Sequence, residues 1–116
     1  MANPVVIPTQ IDERFAVGEL VAAIAQDAQS KDVLMLGWMN KQALTQTLGT
    51  GDVTYWSRSR NELWQKGATS GHTQKLVSIA FDCDADAVLL QVHQVGAACH
   101  TGQRTCFHNE IDTDFE

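Results

Sequence analysis

The sequence is short of several features, and each shortage argues against a class of protein. Only 8 of its 116 residues are Lys or Arg, against 14 Asp or Glu, so the basic surface of a general nucleic-acid-binding protein is not expected. No apolar run approaches 18 residues, so no membrane span is expected. The first residues lack the basic-then-apolar pattern of a signal peptide. We therefore expect a cytoplasmic protein.

Cysteine is also scarce, with only Cys83, Cys99 and Cys106. A secreted disulfide framework favours an even number of cysteines. In a reducing compartment, clustered cysteines more often bind metal or take part in chemistry. Any one of them alone is as often a small buried hydrophobe, so the metal hypothesis depends on their arrangement.

Both prolines lie within the first ten residues, at Pro4 and Pro8, and they predict an extended arm over residues 1–12. The length of 116 residues predicts a single domain, 1–116. Residues 109–116 are polar and acidic, and they predict a mobile acidic tail.

The first half of the chain predicts a hairpin followed by a helix. Residues 20–28 fit either a helix or a strand, residues 33–39 are typical of a buried strand, and the polar run between them suits a turn. Asn40 is typical of a helix N-cap, and either Gly49 or Gly51 would end that helix.

Later segments predict mainly strands. Residues 52–60 alternate and are rich in β-forming side chains. Residues 74–94 predict a second hairpin, in which Val77, Ile79, Phe81 and Cys83 share an apolar face. The predicted fold class is α+β, made mainly of antiparallel β hairpins with one or two short helices.

The run DCDAD at 82–86 predicts two metal sites rather than one. On a strand, Cys83 would point away from Asp82 and Asp84, with Asp86 near those two acids if the strand or its turn continues. Soft thiolates and hard carboxylates prefer different metals. Carboxylates about 6.5–7 Å apart with water filling the gaps suit magnesium, although three acids near a turn are also typical of a solvated surface.

The loop CHTGQRTC at 99–106 contains Gly102, so the chain can curl and bring Cys99 and Cys106 to one ion. Cys83 is the available third thiolate. Three protein ligands and one water are typical of catalytic zinc. His100 is placed either to move protons near such a water or to act as a fourth ligand that closes the site.

The middle of the chain is its basic part, since residues 51–75 carry four basic and two acidic residues. Such a local basic set is what a small phosphate-bearing ligand needs in an acidic protein. The loop KGATSG has a composition that wraps phosphates with backbone N–H groups, although it is also a common loop composition. The candidates for binding phosphate are Arg58, Arg60, Lys66, Ser70, Gly71 and His72. The tryptophans, Trp38, Trp56 and Trp64, are expected in the core rather than in a ligand site.

Five motifs in order give the sequence a family resemblance from about Phe15 to His108. They are VLMLGWMN, YWSRSR, LWQKGATSGH, DCDADA and ACHTGQRTCF. In these motifs the chain resembles the phosphoribosyl-AMP cyclohydrolases of histidine biosynthesis. Position 85 is Ala where the family commonly has Gly, so the acidic turn is expected to shift slightly. Position 105 is Thr where the family often has Ser.

The resemblance implies a hydrolase that opens the adenine ring of phosphoribosyl-AMP at the N1–C6 bond, using zinc-bound hydroxide. It implies an intertwined homodimer with a zinc site shared between subunits, in which Cys83 comes from the partner. It also implies a role for His100 in proton transfer. The implied zinc ligands are Cys83, Cys99 and Cys106, and the implied magnesium ligands are Asp82, Asp84 and Asp86.

Three other functions are weighed against this one. A structural zinc module would need a fourth ligand, such as His100 or His108. A zinc-dependent nucleobase deaminase would show H-x-E and P-C-x-x-C signatures together, and the sequence has no P-C-x-x-C. A nucleic-acid-binding protein is disfavoured by the charge balance.

Overall fold

A computed structural model describes residues 5–115 of the chain. Over this range the fold is α+β, as predicted, with mostly antiparallel strands. The intertwined homodimer stays a prediction, because a single chain is described. The elements in chain order are α1 Thr9–Ala16, β1 Val21–Asp27, β2 Val33–Met39, α2 Lys41–Thr50, β3 Thr54–Ser57, β4 Glu62–Gln65, β5 Gln74–Phe81 and β6 Ala87–Gln94.

The main sheet joins the two predicted hairpins side by side. Its strand order is β2-β1-β6-β5. Both β1–β2 and β5–β6 are antiparallel, and β1 pairs with β6 in parallel. A smaller sheet pairs β3 with β4. Both hairpin predictions are confirmed, and the ambiguous segment 20–28 proves to be a strand.

Strand β1 forms because its alternate residues meet the core. Val21, Ala23 and Ala25 are fully buried, and the residues between them are only partly buried. This period of two is that of a strand with one apolar face. The core on this face also contains Leu34, Met39 and Leu44.

Helix α2 begins and ends where its sequence predicts. The side chain of Asn40 accepts a hydrogen bond from the backbone N–H of Ala43 at 2.9 Å, which is N-cap geometry. Gly51 takes a left-handed φ of 79° and its N–H bonds to the Thr47 carbonyl. Of the two glycines considered, Gly51 therefore ends the helix.

The extended arm predicted over residues 1–12 is wrong for residues 9–12. These begin α1, directly after Pro8, and a proline is well suited to a helix start because it lacks the N–H that would go unpaired there. Burial of Ile11 against the core holds this helix in place. Residues 1–4 lie outside the described residues. Residues 109–115, in the predicted acidic tail, contain neither helix nor strand.

Two strand predictions need correction. The strand predicted over 52–60 ends at Ser57, because a turn follows in which Asn61 takes a φ of 55°. In β5 the register shifts between Leu76 and Ser78, and Val77 is left 62% exposed. Phe81 is 40% exposed and Cys83 is exposed in the turn, so only Ile79 of the predicted apolar set is partly buried and the shared apolar face is wrong. Among the described residues, neither helix is long or apolar enough to cross a membrane.

Candidate metal and substrate site

The acidic run forms the turn between β5 and β6 rather than part of a strand, since β5 ends at Phe81. The strand spacing expected between its carboxylates is therefore wrong. Carboxylate oxygens of Asp82, Asp84 and Asp86 lie within 4.8 Å of one another. The turn brings the three acids closer together than a strand would.

Hydrogen bonds from the backbone hold this turn. The Asp82 carboxylate accepts from the N–H of Asp86 at 3.1 Å and of Ala87 at 3.3 Å. Ala85 takes a left-handed φ of 59°, a conformation that favours glycine. Its N–H still bonds to the Asp82 carbonyl at 3.0 Å. The alanine thus adopts the turn at a cost in strain, and the acids stay together.

Proximity within the cluster shifts the pKa values of Asp82 and Asp86 in opposite directions. Hydrogen bonding to Asp84 and Asp82, with some desolvation and the negative charge of both, raises the pKa of Asp86. Desolvation acts to raise the pKa of Asp82 too, but hydrogen bonds from the Asp86 side chain and the backbone N–H groups outweigh it, so that pKa is lowered. Without a cation, the cluster therefore retains a proton more readily than separate carboxylates would.

Arg14 connects α1 to the acidic turn, a contact that sequence reasoning missed. Its guanidinium donates to the Asp84 carbonyl at 2.7 Å and also pairs with Glu19 at 3.3 Å. Cys83 is exposed in the same turn. It lines a cleft of about 430 Å³ together with Arg14 and Phe81.

The other two cysteines lie in the loop after β6, here called the thiol loop, residues 98–106. Three backbone hydrogen bonds curl it: Ala98 N–H to Arg104 O, Cys99 N–H to Gln103 O, and Gly102 N–H to Cys99 O. The Cys106 N–H bonds to the Leu34 carbonyl at 2.7 Å and fastens the loop to β2. The predicted curl around Gly102 is confirmed.

The two thiols of this loop interact, and one of them ionises easily. Hydrogen bonds from the hydroxyl and backbone N–H of Thr101, with a contact to His108, lower the pKa of Cys99 to about 6. The distances from the Cys99 sulfur are 3.1 Å to Thr101 Oγ1 and 3.8 Å to His108 Nε2. Desolvation and the neighbouring Cys99 raise the pKa of Cys106. At neutral pH Cys99 is therefore mainly a thiolate.

Cys83 is not brought to this pair. Among residues 5–115, the acidic cluster is the only group of three or more metal-binding side chains whose ligand atoms all lie within 4.8 Å. The turn with Cys83 precedes β6, and the thiol loop follows that strand. A strand of eight residues is about 26 Å long. Within one chain, the third thiol therefore lies far from the other two.

A cleft of about 510 Å³ separates the thiol loop from the loop 67–72. This second loop contains most of the KGATSG segment, whose composition suits phosphate binding. His100, Lys66, Ser70 and His72 line this cleft together with Cys99, so the structure brings three of the six predicted phosphate-binding residues to the same cleft as His100 and one thiol. His100 is exposed at its wall. Gly71 lies in the same loop, where its N–H bonds to the Gly67 carbonyl at 2.9 Å.

Gly67 allows this second loop to close. Its φ is 79°, and an added Cβ would lie 2.5 Å from the backbone of His72. No other residue fits so close an approach. The Gln94 side chain also donates to the His72 carbonyl at 3.4 Å. The loop is therefore fixed to the end of β6, where the thiol loop begins.

Lys66 is buried, which the sequence did not predict. Its ammonium donates to the Ala98 carbonyl at 2.5 Å and lies 5.3 Å from the centre of the Trp64 ring. Desolvation lowers the pKa of Lys66, and the charges of Cys106 and Cys99 act in the opposite direction.

Arg58 and Arg60 lie on a separate cleft of about 560 Å³, in the turn between β3 and β4. The Arg58 guanidinium stacks 4.4 Å above the Trp38 ring, and Arg60 lies 3.6 Å from Glu62. Trp64 lines both this cleft and the cleft of the thiol loop. The expectation that the tryptophans form the core is wrong, because all three, Trp38, Trp56 and Trp64, line the Arg58 cleft.

Arg104 is a further residue that sequence reasoning missed. From the thiol loop it pairs with Asp32 at 3.1 Å and Asp27 at 3.6 Å in the β1–β2 turn. Next to it, the Thr105 hydroxyl donates to the Val33 carbonyl at 2.7 Å. Serine has the same hydroxyl, so the departure from the family pattern at position 105 leaves this bond available.

Taken with the α+β fold, clefts that gather thiols, a histidine and basic side chains define a small enzyme of the hydrolase class. The chain belongs to the phosphoribosyl-AMP cyclohydrolase family, whose model matches residues 35–108.

Relatives support this over most of the chain. The phosphoribosyl-AMP cyclohydrolase of Hyphomonas neptunium is 55% identical over 103 residues, which are 89% of this chain and 79% of the relative. The phosphoribosyl-AMP cyclohydrolase of Streptomyces coelicolor is 54% identical over 111 residues, which are 94% of this chain and 87% of the relative. A histidine biosynthesis bifunctional protein of Synechocystis is 66% identical over 90 residues, which are 77% of this chain and 42% of that protein.

Proposed function

We propose that the protein hydrolyses phosphoribosyl-AMP in histidine biosynthesis, opening the adenine ring between N1 and C6. Membership of the family supports this activity. The structural observation that carries it is the shared cleft, in which Cys99 and His100 face the loop that contains Ser70 and His72. A cytoplasmic location stays a prediction, and three free thiols suit a reducing compartment.

The residues of the thiol loop fit zinc. Cys99 and Cys106 offer soft sulfur donors that interact with each other, and the low pKa of Cys99 leaves it deprotonated at neutral pH. When bound, zinc supplies Lewis-acid chemistry, because it lowers the pKa of a coordinated water to about 7. Cys83 would complete the thiol set from a second copy of the chain, since within one chain β6 separates it from the others.

The acidic cluster fits magnesium. Its three carboxylates converge within 4.8 Å, and hard oxygen ligands with retained water are how magnesium is usually held. The pKa of Asp86 is raised first by hydrogen bonding to Asp84 and Asp82 and also by their negative charge, which a divalent cation would offset. The cluster is exposed, so a bound ion would also be open to a substrate phosphate or ring.

His100 is the residue that we assign to proton transfer. Ribosylation at N1 makes the purine ring electron-poor, so water adds at C6. In this scheme the imidazole of His100 takes one proton from the attacking water and passes it to the exocyclic nitrogen on C6. The remaining hydroxyl proton moves through His100 to N1 as the C6–N1 bond breaks and the C6 carbonyl forms. The products are an exocyclic carboxamide and a formimino group. His100 is exposed in the cleft beside Cys99, so its imidazole is open to the attacking water and to N1 of a bound substrate.

The two phosphates of the substrate would lie on either side of Trp64. Arg58 and Arg60 line the cleft on one side, and the loop 67–72 lines the cleft on the other. Ser70 can donate from its hydroxyl and His72 from its ring, whereas the Gly71 N–H is bonded to the Gly67 carbonyl and shapes the loop. The ammonium of Lys66 is buried and bonded to a backbone carbonyl, so we assign the phosphate on this side mainly to the loop.

The test is an ultraviolet absorbance assay with phosphoribosyl-AMP, run with and without a zinc chelator. We expect turnover by the untreated protein, loss of turnover with the chelator, and recovery when zinc is added back. Lack of turnover with zinc and magnesium both present would contradict the proposed reaction. Full turnover in the chelator would contradict the metal requirement alone.

A structural zinc module is the second candidate, because His108 Nε2 lies 3.8 Å from the Cys99 sulfur. With Cys83 from a second copy, His108 would close a four-ligand shell and leave no position for water. Zinc content of His108→Ala separates the two functions: a closed module would lose the ion, and the hydrolase would keep it.

A further inference from the structure

We infer that Lys66 is a positioning residue: its buried ammonium anchors the thiol loop and keeps a positive charge beside Cys99 and Cys106. This inference deepens the proposed function, since it assumes that these thiols hold zinc. It also gives Lys66 a role different from the phosphate binding expected from the sequence.

The anchor is a contact between residues 32 positions apart. Lys66 follows β4 directly, and its Nζ donates to the Ala98 carbonyl at 2.5 Å. Ala98 also donates its N–H to Arg104 within the thiol loop. The lysine therefore holds the residue at which the loop closes, immediately before Cys99.

Burial makes the contact specific. Lys66 is only 8% exposed, and a buried ammonium needs compensating partners. It has the carbonyl of Ala98 and the face of the Trp64 ring, 5.3 Å from the ring centre. The bond to Ala98 uses one of the three N–H donors of the ammonium, and burial leaves little of the residue open to the cleft.

The charge is placed for the thiols. Ala98 directly precedes Cys99, so the ammonium bonded to its carbonyl lies next to the thiol loop. Desolvation lowers the pKa of Lys66, and the charges of Cys106 and Cys99 act in the opposite direction. Three thiolates bound to one zinc ion leave the site with a net negative charge. The ammonium of Lys66, which contacts the thiol loop, offsets that charge. Residues that support metal ligands in this way typically affect metal affinity 10- to 100-fold.

The experiment compares three variants of the full chain by zinc competition with a chromogenic chelator. Lys66→Met keeps the length and apolar stem without charge, and Lys66→Arg keeps the charge. Lys41→Met is the matched control, because Lys41 is exposed and bonds only to Asp12 at 2.9 Å among the described ion pairs. We expect about 10- to 100-fold weaker zinc binding for Lys66→Met, with Lys66→Arg recovering most of it and Lys41→Met unchanged. Equal affinity of Lys66→Met and the unsubstituted chain overturns the inference. Equal losses in the Met and Arg variants overturn the role of charge.

A second readout needs no zinc. Amide hydrogen exchange in the metal-free protein reports on the Ala98, Cys99 and Gly102 N–H groups, which are bonded within the loop. We expect exchange of this segment to be at least about tenfold faster in Lys66→Met, since each hydrogen bond to a charged group is worth that much or more. Unchanged exchange overturns the anchor. If the unsubstituted chain binds no zinc, the proposed function fails, and this measurement still decides whether Lys66 holds the loop.

Discussion

Cys83 and Cys99 lie beyond opposite ends of β6, Cys83 in the turn before the strand and Cys99 in the loop after it. The strand between them is about 26 Å long. A site that uses both sulfurs therefore takes them from two chains. The dimer proposed for this protein follows from that separation, whereas the pairing of Cys99 with Cys106 is complete within one chain.

Asp84→Asn tests whether the acidic cluster is a metal site separate from the thiols. Removing one of three converging carboxylates takes away a hard ligand, so we expect the magnesium concentration needed for half-maximal activity to rise about tenfold or more. Zinc content should stay at the unsubstituted level by elemental analysis. Simultaneous loss of zinc would show that the two sites are one.

Ala85 tests the cost of the acidic turn. Its φ is 59° and its side chain is buried, so a β-branched residue would add strain and crowding. We expect Ala85→Val to lower the free energy of unfolding by about 2–3 kcal/mol. Ala85→Gly should stay within about 1 kcal/mol of the unsubstituted chain, because relief of strain offsets the lost methyl contact. Denaturant unfolding measures both, and a stable valine variant would contradict the left-handed geometry.

Asp27 predicts a particular dependence of stability on pH. Backbone hydrogen bonds from Ser30, at 2.8 Å, and Gln29, at 3.1 Å, outweigh desolvation and lower the pKa of this carboxyl below its usual value. Its stabilising effect is therefore complete above the unfolded pKa of about 3.9 and is lost as pH falls through the lower folded pKa.

We expect Asp27→Asn to reduce the free energy of unfolding at pH 7 by about 1–2 kcal/mol. The difference from the unsubstituted chain should shrink as pH falls below about 4. Urea unfolding across this range measures it. A difference that stays constant down to the most acidic pH would show that the carboxylate charge contributes nothing.

His108→Ala decides whether the zinc shell is open. His108 Nε2 lies 3.8 Å from the Cys99 sulfur. This contact helps to lower the pKa of the Cys99 thiol. We expect the variant to retain zinc and most of its activity. Loss of zinc from this variant, with the fold intact by circular dichroism, would favour a closed structural site.

Local signals in the sequence predicted the elements well. Asn40 and Gly51 mark the ends of α2 because a cap is made by residues next to the helix. The polar run after residue 28 predicted the first hairpin, and alternation predicted the second. The parity argument for Asp82 and Asp84 failed because the strand stops at Phe81, one residue before them. Alternation of apolar and polar residues does not show where a strand ends and its turn begins.

Contacts between distant residues were out of reach of such signals. The bonds of Lys66 to Ala98 and of Arg14 to Asp84 join residues 32 and 70 positions apart. Neither pair has a spacing that a helix or strand would repeat. The Arg14 contact depends on the parallel pairing of β1 with β6, which brings α1 and the acidic turn to one end of the sheet.

Mixing two inactive variants tests the shared zinc site most directly. Cys83→Ala and Cys99→Ala should each bind no zinc in the catalytic shell and show no turnover, because each lacks one of the three thiols. When equal amounts are unfolded and refolded together, half of the dimers are mixed, and each mixed dimer has one complete site. We expect zinc content and activity to return to about one quarter of those of the unsubstituted protein. No recovery on mixing, or full zinc content in Cys83→Ala alone, would contradict a site built from two chains.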